Sequence, residues 1–341
     1  MPASDRPRKT GPLQSIDPLQ GDAPAEPEAR GTTPAPRTGS ALAFLALIVG
    51  NVALAFGPLF VRMADTGPVA AGFWRITLAA PLLVGLALAG RGQPTDAAPM
   101  MTPKRWTILI LAGVAFAGDL GSWHLGIMRT TLANATLLGN CATFIFPIYG
   151  FIVVRTWPSR TQGFALALAG AGALLLLGRS YDLDPANLVG DALCLTAGLL
   201  YAVYFIIMAG VREHVPPMPA LALSTIASIV PLLIFAVALG ETVMPTAWGP
   251  LLGLALVSQV LGQGCMIFAL GKASPLMVGI TLLIQPVVAA TIGWLIYGER
   301  LGAVDWIGIA MVAAALVLVR RRPVVAPEPV SPHVQEPRSI A

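Results

Sequence analysis

Charge is scarce in this chain. Lys, Arg, Asp and Glu make up 11% of its 341 residues against 56% hydrophobic, and the mean hydropathy is +0.75. A soluble domain of this size has too few polar side chains here to cover its exterior. Cysteine is nearly missing as well. Cys141, Cys194 and Cys265 each lie inside an apolar stretch without CxxC or metal spacing, which argues against a disulfide framework or a zinc site and leaves buried structural thiols. There is no HExxH run for metalloprotease chemistry and no GxxxxGK[ST] loop for driving a pump with ATP. His124 is the one histidine inside an apolar stretch, and Ser122, two positions away, faces elsewhere on a helix, so no serine-histidine pair forms. Enzymatic function is not expected, and no cofactor is indicated. The pI near 9.2 comes without a basic groove interleaved with aromatics, which removes nucleic acid as a partner.

What the chain has in abundance is apolar runs. Nearly every residue from Ala41 to Val319 belongs to one of about ten stretches, and roughly 20 apolar residues suffice for one helix to cross a bilayer. The predicted spans are Ala41–Val61, Val69–Ala89, Trp106–Ile127, Leu132–Val154 and Gly163–Gly178, then Leu188–Ala209, Pro219–Leu239, Trp248–Leu270, Leu276–Tyr297 and Trp306–Val319. The fold class is thus an all-α polytopic membrane protein with ten transmembrane helices. Residues 1–40 and 323–341, rich in Pro and mixed charge, read as disordered tails. The run at Ala41 is of full span length and lacks a small-residue cleavage site, so it reads as a span and not as a signal peptide.

An even number of spans puts both tails on one side, and the basic residues choose it. With cytoplasmic termini, that side collects Lys9, Arg91, Lys104, Arg105, Arg155, Arg160, Arg212, Lys272 and Arg320–Arg322, whereas the far side keeps Arg62, Arg129, Arg179 and Arg300. The chain also repeats itself. One ungapped offset aligns Leu125-Gly126 with Leu270-Gly271, Thr136-Leu137-Leu138 with Thr281-Leu282-Leu283, and Arg155 with Arg300. Another aligns Pro81-Leu82-Leu83 with Pro231-Leu232-Leu233. Five helices per repeat is an odd number, so residues 41–178 and 179–322 form repeats of opposite orientation. Such inverted repeats characterise secondary transporters with a midplane site exposed alternately to each side.

Gly72-Phe73-Trp74-Arg75 opens the second span, and Leu282-Leu283-Ile284-Gln285-Pro286-Val287 runs on to Tyr297-Gly298-Glu299-Arg300 and Trp306-Ile307-Gly308. In these segments the chain resembles the EamA-type ten-helix members of the drug/metabolite transporter superfamily, over about residues 41 to 320. The resemblance implies an inner-membrane carrier, usually one exporting amino acids or related metabolites. One departure is Val154-Arg155-Thr156, where similar proteins often carry Gly-Glu-Arg after the fourth span.

Polar residues at membrane depth are costly and normally face a cavity or a partner. Asp119, in the third span, can carry a coupling proton, bind a substrate amino group, or serve as a protonated structural acid. Trp123, four residues on, shares its helix face. Arg75 can hold a substrate carboxylate bidentately, snorkel outward, or pair with Asp65 or Asp119. Asn140 and Gln285 occupy equivalent repeat positions, while Gln259 and Gln263 share a face of the eighth span. Such amides line a polar site or join helices. Asn51, Tyr201 and Tyr204 extend the lining. Trp74 and Trp294 read as interface anchors, and Pro58, Pro81, Pro147, Pro231 and Pro286 as bends. The partners expected are a small-molecule substrate, the lipid bilayer and, through Asp119, protons; monomer and homodimer are equally open. Export of a metabolite leads, with a broad toxic-compound exporter, an importer, and a channel or sensor as the alternatives.

Overall fold

Leu, Ala, Val and Ile fill the stretches between polar breaks, and in hydrocarbon a backbone must satisfy its own hydrogen bonds, so the stretches close into helices. A computed structural model describes residues 37–90, 102–130, 135, 138–155, 157–178, 185–297 and 302–321, and every regular element among them is helical. In chain order these are α1 (Arg37–Ala55), α2 (Gly57–Met63), α3 (Pro68–Ala89), α4 (Pro103–Ile127), α5 (Ala142–Val154), α6 (Arg160–Gly178) and α7 (Leu188–Arg212), the last entered through a 3-10 turn at Pro185–Asn187. Then follow α8 (Pro217–Ala238), α9 (Trp248–Gly253), a π-helical segment (Leu254–Gln263), α10 (Gly264–Leu270), α11 (Pro275–Leu282), α12 (Ile284–Tyr297) and α13 (Ala303–Arg321).

By length and composition, six stretches can cross a membrane: Ala41–Met63, Pro68–Ala89, Pro103–Ile127, Pro185–Arg212, Pro217–Ala238 and Trp248–Leu270. Ala142–Val153, Pro275–Ala289 and Trp306–Val319 are shorter apolar helices. The chain is therefore an all-α, multi-pass membrane protein. Its helix starts follow local chemistry. Proline opens α2, α3, α4, α8 and α11, where its fixed φ suits the first turn and its missing N–H costs nothing. The Ser274 hydroxyl caps α11 by accepting from the Met277 N–H at 3.2 Å. α5 ends on Arg155 in the left-handed region (φ 53°), a position glycine normally takes.

Several spans are less regular than hydropathy suggests. Arg37–Ser40, expected in the tail, already belong to α1, while the rest of that tail, residues 322–341, Arg91, Arg179 and Gly298-Glu299-Arg300 lie outside the described residues. The first span is interrupted at Phe56, just ahead of Pro58. The expected Leu132–Val154 span is broken: the Cys141 N–H bonds to the Leu138 carbonyl at 3.2 Å, the Thr143 N–H to that of Asn140 at 2.9 Å, and α5 begins at Ala142. The expected Leu276–Tyr297 span breaks at Leu283, whose N–H bonds to the Ile280 carbonyl at 3.2 Å. Asn140 and Gln285 mark these two breaks at equivalent points of the sequence repeat. The neighbouring prolines, Pro147 and Pro286, lie inside the helices that follow.

Small residues set the helix contacts. α4 packs on α7 and α8, α3 on α8, α5 on α11, α6 on α13, and α1 on the π segment, α10 and α12. A Cβ at Gly113 would sit 2.4 Å from that of Ala227, and the Ser228 hydroxyl donates to the Gly113 carbonyl at 2.8 Å. Gly279 receives the Pro147 ring and Gly150 receives Pro275. Between helices in lipid, such close backbone approach takes over the role that the hydrophobic effect has in water. Two ends can be distinguished. The loops 64–67 and 239–247 meet at the distal end, and the start of α4 meets the turn after α7 at the proximal end.

Candidate functional site

Four elements bring polar side chains together in the interior: α3 with Arg75, α4 with Asp119, α7 with Tyr201 and Tyr204, and the π segment with Gln259 and Gln263. π-helical turns are rare and concentrate at functional sites, and this one carries both glutamines. The Arg75 Nε donates to Gln259 Oε1 at 3.1 Å, and the Gln259 Nε2 donates to Thr225 Oγ1 at 3.2 Å. This chain fixes the plane of the guanidinium. The terminal nitrogens of Arg75 make no hydrogen bond among the described residues, although the residue is only 4% exposed.

Asp119 is the complement. It is 9% exposed and makes no hydrogen bond or ion pair among the described residues. Arg75 and Asp119 feel each other electrostatically, with Tyr201 and Tyr204 in the same field, yet they stay beyond ion-pair distance. Burying unpaired charges at membrane depth costs several kcal/mol each. An unpaired guanidinium and an unpaired carboxyl group at this depth can chemically meet complementary groups of a ligand.

The wall beside them is aromatic. Phe116 and Tyr204 stack at 4.6 Å between centroids, and Tyr201 lies 4.2 Å from Phe205. The Tyr201 hydroxyl donates to Gln263 Oε1 at 3.2 Å. Beside the same group, His124 Nε2 is buried without a hydrogen-bond partner among the described residues, while the Tyr204 hydroxyl and Gln263 Nε2 approach each other, and the former the Ser224 hydroxyl, only in poor hydrogen-bond geometry. Buried polar atoms are nearly always satisfied, so these under-used groups mark spare capacity. His124 itself is structural at its other nitrogen: Nδ1–H donates to the Pro68 carbonyl at 2.9 Å. Gly72 permits this, since a Cβ there would stand 3.1 Å from that nitrogen.

The remaining expected residues lie elsewhere or at the edge. Asn51 and Gln285 form a separate tie: the Gln285 Nε2 donates to Asn51 Oδ1 at 2.9 Å, and the Asn51 Nδ2 donates to the Leu47 carbonyl at 2.8 Å and reaches Met266 Sδ at 3.4 Å. Their polar groups are spent on joining α1 to α12 and α10. Trp123 packs with Ile127, Ala135 and Cys194, and against Gly139. Asn140 sits in the break before α5, half-buried and engaged, and the Cys141 thiol beside it lies in the field of Asp119. Thr225, which holds Gln259, had no local signal in an apolar helix. Among the described residues no group of His, Cys, Asp and Glu is arranged for a metal ion.

The distal end above this group is laced shut. Glu241 accepts from the Val69 and Ala70 N–H groups at 3.3 and 2.8 Å, so a residue far away in sequence caps α3, whose own N-cap is Gly67. A Cβ at Gly67 would collide with Glu241 at 2.4 Å. The Gly67 N–H bonds to the Thr242 carbonyl at 3.0 Å. Trp74, expected as an interface anchor, donates from its indole to the Val243 carbonyl at 2.7 Å and meets Trp248 edge-on. Asp65 accepts from the Thr246 hydroxyl and from the Thr246 and Ala247 N–H groups at 2.8 and 3.0 Å. The bond from the Thr246 side chain, helped by these amides, holds its carboxyl below the usual range. Neither Trp74 nor Glu241 showed this pairing in sequence, because the partners lie about 170 residues apart.

A model of the EamA-like transporter family matches residues 41–178 and again 188–321. The threonine/homoserine exporter RhtA of Salmonella typhimurium is 30% identical over 63% of this chain and 72% of its own length. An uncharacterized inner membrane transporter of Escherichia coli, YedA, is 28% identical over 72% and 81%, and an uncharacterized transporter of Archaeoglobus fulgidus is 24% identical over 70% and 83%. A solved crystal structure shares the fold with a TM-score of 0.65 at 14% identity, over 82% of this chain and 97% of that one.

Proposed function

The chain belongs to the EamA-like transporter family, and from that premise we propose that it is a secondary carrier exporting a small zwitterion, an amino acid or close derivative, across the inner membrane by alternating access. The observation that carries this reading is the Arg75–Asp119 arrangement: a buried guanidinium and a buried carboxyl group near each other and unpaired. The substrate carboxylate takes the two terminal nitrogens of Arg75 in a planar fork, whose orientation Gln259 and Thr225 hold. The ammonium group faces Asp119, and the side chain lies along Tyr201 and Tyr204. Binding satisfies both charges at once, which gives an ordered zwitterion an advantage over an amine or an acid alone. The name of RhtA, an exporter of two such compounds, agrees with that chemistry.

The architecture proposed with it is ten crossing helices in two inverted five-helix repeats, 41–178 and 179–322, with both termini cytoplasmic, which the distribution of Lys and Arg supports. The laced distal loops then close the outer side, and opening requires the Glu241 and Asp65 contacts to part. Exchange of the substrate ammonium for a proton at Asp119 supplies a route for coupling to the proton gradient. Transport with no enzymatic step accounts for the group without assigning any residue a covalent role.

The test is counterflow in proteoliposomes containing purified protein, with threonine, homoserine and other amino acids compared with their methyl esters and N-acetyl forms, with and without a pH gradient. Saturable flux confined to compounds carrying both charges is expected, and flux of esters or N-acetyl forms at the same rate overturns the zwitterion reading. Acceleration by the gradient that Asp119→Asn abolishes assigns coupling to Asp119, whereas flux indifferent to the gradient makes the protein a facilitator.

A further inference from the structure

At the proximal end, away from Arg75 and Asp119, a cleft of about 620 Å³ opens between the start of α4 and the end of α7. Its rim carries Lys104, Arg105 and His214, and its walls are Ile108, Ile206 and Ile207. The rim is accessible: Lys104 and His214 are exposed and Arg105 is half-buried. Arg212, next in line, donates to the carbonyls of Ile267 and Val215 and so shapes the turn. Glu213 is the one acidic residue of that turn. Below the rim the same face of α7 continues as an outward apolar surface, where Val203 is 44% exposed. Residues this apolar and this exposed on membrane-crossing helices face lipid tails.

We propose that this cleft binds an anionic phospholipid, with the phosphate held by Lys104, Arg105 and His214 and an acyl chain lying along Ile108, Ile206 and Ile207. The charge complementarity is specific to one depth. A basic rim over an apolar trough fits a molecule whose negative head and hydrocarbon tail meet at the interface, whereas a soluble anion has no use for the trough and a neutral lipid none for the rim. The proposed orientation places the site in the cytoplasmic leaflet, whose anionic lipids draw basic clusters to the surface, at about 1 kcal/mol per residue, or roughly five-fold in affinity. The site rests on that orientation for its biological lipid but not for its chemistry, and it is independent of the substrate proposed for the interior.

Gly210 makes the test selective. It lines the cleft, and a Cβ built there meets no atom within 4 Å, so a large side chain fills the space without displacing the fold. Native mass spectrometry of the full chain in detergent, titrated with phosphatidylglycerol or phosphatidylcholine, reads the adduct directly. A retained phosphatidylglycerol adduct is expected, with phosphatidylcholine held at least ten-fold more weakly. Lys104→Ala, Arg105→Ala and His214→Ala together lower the adduct by more than ten-fold, Gly210→Phe lowers it with all three basic groups present, and Arg160→Ala, an exposed basic residue at the same end, leaves it unchanged. Equal retention of both lipids overturns the proposal, as does an adduct that survives both the triple variant and Gly210→Phe. Displacement of phosphatidylglycerol by an equal concentration of inorganic phosphate identifies a site for soluble phosphate and also overturns it.

Discussion

The distal lacing and the interior group use the same kinds of side chain in opposite ways. At the distal end the acidic groups of the lacing are spent. Glu241 uses both oxygens on two backbone N–H groups, and one oxygen of Asp65 receives three donors. In the interior, among the described residues, Arg75 spends only Nε on the protein, Asp119 spends nothing, and His124 Nε2 nearby stays without a partner. The distal groups are close to water, where satisfaction is cheap, whereas the interior ones lie where its lack costs most. A ligand that satisfies polar groups left unpaired in the most expensive location would recover that cost. The contrast separates polar residues that hold the fold from those proposed to bind the substrate.

The largest expected effect breaks the interior half of this comparison. Arg75→Gln keeps a donor toward Gln259 and removes the fork, and counterflow of amino acids should fall on the order of 100-fold. Thermal stability in detergent should hold or rise, because a buried unpaired charge has been removed. Glu241→Ala should do the reverse. It strips the cap from α3, lowers stability by about 1–2 kcal/mol and leaves the substrate group intact, so saturable flux survives in thermal-shift-matched preparations. Trp74→Phe sharpens the same contrast at smaller scale, keeping the ring against Trp248 and losing the bond to Val243 for about 1 kcal/mol by chemical denaturation.

The smallest effect is one of pH. Asp65 is held below the usual carboxylate range by Thr246 and the adjacent amides. A depressed folded-state value means that its contribution is present above the ordinary carboxylate value and is lost as pH falls through the lowered one. Melting temperature should therefore drop further on acidification in wild type than in Asp65→Asn, with the difference confined to acid below the usual carboxylate range.

Much of the frame was legible because hydropathy is a local property. The positions of the long helices, the membrane setting and the family resemblance follow from runs of residues and short segments such as Gly72–Arg75. Asp119 and Arg75 stood out for a physical reason too, since a charge inside an apolar run is conspicuous wherever its partners are. The interruptions were harder to see. The breaks at Asn140–Cys141 and Leu283 precede the prolines that mark them, and the π segment at Leu254–Gln263 reads as an ordinary apolar helix. Amides were the least legible group: Gln259 holds Arg75, while Gln285 and Asn51 bond each other across 234 residues, and no local feature separates these roles. Glu241 stands in a distal loop, and only the fold places it over the start of α3.

The most direct measurement takes flux and melting temperature from the same preparations of Asp119→Asn, Arg75→Gln and Glu241→Ala. The two interior variants should lose amino acid counterflow while melting at or above the wild-type temperature, and Glu241→Ala should melt lower and still transport. Interior variants that transport normally, or that lose flux only as far as they lose stability, would contradict the assignment of Arg75 and Asp119 to the substrate.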